Sequence, residues 1–104
     1  MPCRSRFIAQ KPAWRARKEK YIAHLKSASA STRLVSASDK LHNARAILHN
    51  LREDGDEIWS RFKGGKEGTL WYYRSLVTAF REHGESALLD ELARVVSEIE
   101  RIAG

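Results

Sequence analysis

Apolar residues recur along this chain at steps of three and four, and strict alternation is nowhere sustained, so the pattern predicts helices and no strands. Four helices are expected, with a short helical turn between the second and third. The first spans about Pro12 to Ser27, with Pro12 suited to the first turn and Trp14, Tyr21, Ile22 and Leu25 as its stripe. A small-residue joint over residues 27–32 follows, in which Ser31 or Thr32 is the expected cap of the next helix. The second helix spans about Arg33 to Glu53, with Leu34, Ala37, Leu41, Ala44, Leu48 and Leu51 on one side. Asp54-Gly55 should stop it, and Asp56 should cap a short turn that carries Ile58, Trp59 and Phe62. Gly64-Gly65 breaks the chain again. The third helix is expected over Lys66 to His83, with Leu70, Tyr73, Val77 and Phe80 inward. The fourth is expected over Ser86 to Ile102, with Leu88, Leu92, Val95, Ile99 and Ile102 inward and Leu89 and Val96 beside them.

The 104 residues suffice for one small domain with a modest core. No apolar run reaches membrane length, and the N-terminus has no signal-peptide core. The single cysteine, Cys3, excludes an intramolecular disulfide, and together these features fit a cytoplasmic protein. Charge changes the picture more than composition does. Residues 1–26 carry eight basic residues against Glu19 alone, +7 of the net +6, so the rest of the chain sums to −1. Lys11, Arg15, Arg17 and Lys18 form the densest part of this segment and are a candidate anion-binding patch. Such a concentration attracts phosphorylated nucleotides, nucleic acid or an acidic protein, and it equally suits a merely solvated helix face.

Candidate chemistry concentrates in Ser38-Asp39-Lys40-Leu41-His42-Asn43-Ala44-Arg45. Asp39 and Asn43 are four apart and share a helix face, with Asn50 further along. One carboxylate is not a metal site, because Mg²⁺ or Mn²⁺ needs several ligands. His42 and His49 lie on another face, and no His-Glu-x-x-His, paired-cysteine or phosphate-loop motif is present. Gly64-Gly65-Lys66 is more simply a turn between helices than a phosphate cradle.

Residues 38–43, Ser-Asp-Lys-Leu-His-Asn, resemble the last motif of the HD-domain metal-dependent phosphohydrolases, especially the branch that hydrolyses guanosine tetraphosphate. Lys11–Lys18, Tyr21–Leu25, Trp59–Phe62 and Gly68–Arg74 resemble the segments around that motif. The resemblance implies an all-α, four-helix HD-like core over residues 11–104, preceded by a disordered or non-family stretch over 1–10. It implies Asp39 as a metal ligand for Mn or Mg, and Asn43, Lys40 and Arg45 as substrate-binding residues for a phosphorylated guanine nucleotide. The family's remaining ligands, a His and a His-Asp pair, precede this motif, and the chain contains no His-Asp dipeptide. The expectation is therefore a truncated or degenerate relative that is inactive and metal-free by itself, and that forms a homodimer or completes another chain across an exposed apolar patch. The alternative is a non-enzymatic basic helical module that binds nucleic acid or a protein.

Overall fold

The computed structural model describes the backbone from Gln10 to Gly104 and side chains from Ala13 onward. The expected non-family stretch over residues 1–10 lies, apart from Gln10, outside the described residues, as does the Lys11 side chain. The described residues are all-α: α1 (Gln10–Ser27), α2 (Ala30–Asp54), a 3₁₀ segment (Gly55–Arg61), α3 (Gly65–Arg81) and α4 (Ala87–Ala103).

Local chemistry sets the breaks. Ala28 and Ser29 alone separate α1 from α2, and the Ser29 hydroxyl accepts the Thr32 amide at 3.2 Å. The cap thus falls earlier than the expected Ser31 or Thr32, because the joint is only two residues long. Gly55 closes α2 at φ +71°, a conformation unfavourable to residues with a Cβ, and its N–H returns to the Leu51 carbonyl. Asp56 does not cap the 3₁₀ segment as expected; it accepts the Trp59 indole N–H at 3.2 Å. Ser86 caps α4 by accepting the Leu89 amide.

Cross-links between helices fix their directions. Arg45 pairs with Glu91 and Arg52 with Glu98, seven residues on in both helices, so α2 and α4 run parallel. Lys66 donates to the Ala103 carbonyl while Arg81 reaches Asp90, so α3 and α4 are antiparallel. Trp14 lies against Gly68 while Lys26 pairs with Glu82, so α1 and α3 are parallel. Directions therefore alternate along the chain. The most extensive seam, α2 with α4, joins helices that are not sequence neighbours, and α1 packs chiefly on α3.

The core is centred on the α2–α4 seam. Leu41, Ala44, Leu48 and Leu51 meet Leu92, Val95, Val96 and Ile99, with Leu76, Phe80 and Ile58 closing the sides. Burying each large aliphatic side chain contributes about 1.5–3 kcal/mol. Three expected faces differ. On α4, Leu88 and Ile102 are only half-buried, whereas Leu89 and Val96, expected beside the stripe, are buried. On α3 the buried residues are Thr69, Tyr72, Tyr73, Leu76, Ala79 and Phe80, whereas Leu70 and Val77 are only half-buried. This helix packs against α1 on one side and α4 on another, so its buried arc is wider than a single stripe. On α2, Leu34 is 59% exposed and its neighbour Val35 69%. Extending the Arg45–Glu91 register back four residues sets Leu41 opposite Ala87, the first residue of α4. The first turns of the 25-residue α2 therefore overhang α4, and Leu34 borders only a shallow hollow by the α3–α4 turn. This overhang supplies two exposed apolar side chains, Leu34 and Val35.

Candidate functional site: a basic, aromatic seam along α1

Among its described side chains α1 has a single fully buried one, Leu25, and it is otherwise attached through half-buried Trp14, Tyr21 and Ile22. Its contacts with the rest of the protein are largely aromatic and cationic. The Arg15 guanidinium lies 3.5 Å from the Trp71 ring centroid, and the Trp14 and Trp71 rings are 6.3 Å apart. Lys18 Nζ stands 4.6 Å from the Tyr72 ring, while Lys40 Nζ, reaching in from α2, lies 5.8 Å from the same ring and 5.1 Å from Tyr21. Cations over ring faces are attracted by the ring quadrupole, by about 0.5–2 kcal/mol depending on desolvation. The Tyr21 hydroxyl donates to Ser36 Oγ at 3.0 Å and pins α1 to the overhanging part of α2.

This crowding has electrostatic consequences. Burial, and then the neighbouring charges of Lys40 and Arg17, hold the Lys18 ammonium below the usual lysine range. Burial pushes the Tyr73 hydroxyl up to about 12, with the Asp39 carboxylate adding to the effect, and raises Tyr72 as well. Both phenols are therefore neutral at physiological pH. Among the described residues, Arg17, Lys18, Lys20 and Lys63 form no ion pair, whereas most arginines on α2, α3 and α4 do.

At the N-terminal end of α1 a groove of about 550 Å³ opens against the turn before α3. The Trp14 ring, seated on Gly64 and Gly68, lines it together with Arg15, Arg17 and Lys63; among the described residues no carboxylate lines it. The glycines are required for the indole to sit there. A Cβ on Gly64 would come within 2.3 Å of the Trp14 ring, and one on Gly68 within 3.0 Å.

The residues singled out around Asp39 divide between two places. Asp39 is 62% exposed at the side chain and lies 3.8 Å from Lys40, whose own side chain is 16% exposed because it runs in among the tyrosines. Asn43 is half-buried on the same side of α2. Arg45 points elsewhere, along the exposed flank of the α2–α4 seam, where Glu91 accepts from it at 3.2 Å. No three His, Cys, Asp or Glu side chains converge on a metal-sized site among the described residues, and His42 and His49 are exposed. The residues present therefore do not fit a divalent metal at Asp39: one exposed carboxylate beside an ammonium group is a poor hard-cation site.

Of the patch read from sequence, Arg15 and Arg17 line the groove and Lys18 lies deeper in the seam. Lys63, Gly64 and Gly68 escaped sequence reasoning, because only the fold carries them to α1; the local signal was the Lys63-Gly64-Gly65 turn itself. No helix among the described residues is long and apolar enough to cross a membrane. No protein-family model matches the chain, and no curated protein matches it either.

Proposed function

We propose that this chain is a non-enzymatic basic helical module that binds nucleic acid along α1. The observation that carries this proposal is the run of cations without ion-pair partners, Arg17, Lys18, Lys20 and Lys63, interleaved with Trp14, Tyr21 and Trp71. The 18 residues of α1 extend over about 27 Å, and cations occur along most of that length, which suits an extended polyanion better than a single small anion. An anion laid along α1 would relieve the repulsion among Lys18, Arg17 and Lys40. Phosphates bound in this way release counterions, so binding should weaken steeply with salt.

The test is fluorescence anisotropy of a labelled oligonucleotide across a salt series, with the double variant Arg17→Glu/Lys63→Glu beside the parent chain. Binding with a log–log salt slope of several units is expected, and the variant should lose roughly tenfold or more in affinity with a shallower slope, since each lost phosphate contact removes about 0.7–0.9 from it. Absence of salt-sensitive binding would overturn the proposal. An acidic polypeptide that competes as well as the oligonucleotide at equal charge would point to a protein partner instead.

A second reading keeps the resemblance of residues 38–43 to the HD motif: a degenerate HD-like bundle whose missing ligands another chain supplies. The exposure of Asp39, one turn beyond the exposed Leu34 and Val35 on α2, favours it. Under this reading a phosphorylated guanine nucleotide is the substrate, a homodimer or complementing chain completes the site, and the protein works in the cytoplasm. Guanosine tetraphosphate incubated with the purified chain and Mn²⁺ should remain intact. Turnover that Asp39→Asn abolishes would establish the enzyme.

A further inference from the structure

The outer side of α2 differs in composition from the other exposed helix faces. Ser31, Val35, Asp39, His42, Ala46 and His49 recur at steps of three and four opposite the buried stripe, and all six are exposed. The strip runs for about five turns, or about 27 Å, and Asp39 is the one residue of the six with a full charge. Arg45 lies to its side, paired with Glu91. Exposed charges punctuate the other helices instead: Arg15 and Glu19 on α1, Arg74 and Arg81 on α3, Asp90 and Arg94 on α4. Neither neighbour of α2 covers the strip, because Ser36 and Lys40 face α1 while Leu41, Ala44 and Leu48 lie in the core. A solitary exposed valine needs no explanation, but loss of charge along a whole helix face is the compositional mark of a contact surface.

The order of residues along the strip selects the partner. Two α2 helices paired antiparallel, about a two-fold axis midway between Lys40 and Leu41, bring Val35 level with the partner's Ala46 and Asp39 level with the partner's His42. Symmetry repeats each contact. An imidazole N–H then donates to a carboxylate twice, and an apolar pair flanks these contacts on either side. A parallel pair would set carboxylate against carboxylate, which like charge disfavours. The strip is therefore complementary to itself in one direction. We infer that this chain self-associates through the outer face of α2, as an antiparallel pair with reciprocal Val35–Ala46 and Asp39–His42 contacts. This association needs neither nucleic-acid binding along α1 nor an HD-type site.

The experiment is sedimentation equilibrium of the full chain over a concentration series. A contact of one helix pair lies below about 1,200 Å², so a monomer–dimer equilibrium with a Kd on the order of 10–100 µM is expected. Val35→Glu and Ala46→Glu change exposed helical positions on opposite sides of the contact. Each should weaken dimerisation by about tenfold or more and leave helicity by circular dichroism unchanged. Asp39→Lys and His42→Glu should each weaken it by about tenfold, and the double variant Asp39→Lys/His42→Glu should restore it, because the reversed pair again meets as opposites. Effects of that pair within one helix would alter helicity and not the association constant. A chain that remains monomeric throughout the range would overturn the inference and leave this face to a different polypeptide. Dimerisation that survives both Val35→Glu and Ala46→Glu would overturn it as well, by placing the contact elsewhere. Arg17→Glu/Lys63→Glu should dimerise as the parent chain does, so loss of nucleic-acid binding and loss of self-association are read separately.

Discussion

The seam between α2 and α4 and the seam between α1 and α3 both join parallel helices, yet they are built from different materials. The first is aliphatic: Leu41, Ala44, Leu48 and Leu51 against Leu92, Val95, Val96 and Ile99. Its flanking charges are matched, Arg45 with Glu91 and Arg52 with Glu98. The second holds one fully buried aliphatic side chain of α1, Leu25, amid half-buried rings and cations, several of them without acidic partners among the described residues. A seam that neutralises its own charges contributes stability and little else. One that leaves cations over rings at the surface retains binding capacity. On the proposed reading, stability resides in α2, α3 and α4, and binding in α1.

The contrast breaks most visibly at two fully buried leucines, one from each seam. Leu92→Ala removes a completely buried side chain from the aliphatic seam and should cost about 2–5 kcal/mol of global stability in urea unfolding. Leu25→Ala deletes an equally buried group, but one that attaches α1. Its main effect should be selective loss of hydrogen-exchange protection in residues 13–27, with the other helices still protected. Global unfolding by both variants alike would show that the two seams form one cooperative unit.

A smaller effect sharpens the same comparison. The binding-impaired variant Arg17→Glu/Lys63→Glu should unfold within about 0.5 kcal/mol of the parent chain, as surface substitutions without partners usually do. A large loss would mean that these cations have a structural role.

The smallest effect concerns pH. Hydrogen bonds from Arg94 and then Arg45 hold the Glu91 carboxyl at about 2, below its ordinary 4.5. A carboxylate depressed in the folded state stabilises fully above its unfolded pKa, and that contribution is lost as pH falls from about 4.5 towards 2. The urea midpoint should therefore decline slightly over that window, and Glu91→Gln should flatten the decline.

The helices themselves were legible because their apolar steps of three and four are long and uninterrupted. On α4 the expected Leu92, Val95 and Ile99 are buried, while the expected Leu88 and Ile102 at its two ends are half-buried. The face of α3 was misjudged because Thr69 and Ala79 look neutral in a hydropathy pattern yet are buried between two neighbouring helices. Leu34 was misjudged because periodicity cannot reveal that one helix outruns its partner. The basic character of α1 was plain from residues 11–18, but the groove was not. Trp14 meets Gly64 fifty positions away, and nothing local to either residue announces the meeting. The Asp39 segment was conspicuous as a motif, although Arg45, counted within it, turns towards α4.

The parallel course of α2 and α4 also has a temporal side. Arg45 and Glu91 are 46 residues apart, so the largest aliphatic seam is also a distant one along the chain. Closing it requires the 3₁₀ segment, α3 and the α3–α4 turn to fall into place, and such non-local closure is slower than pairing adjacent helices. As the chain leaves the ribosome, Leu41, Leu48 and Leu51 remain without their chief partners until residues 87–103 have emerged. During that interval the nascent α2 is the natural target for a chaperone, or for association with another unfinished copy.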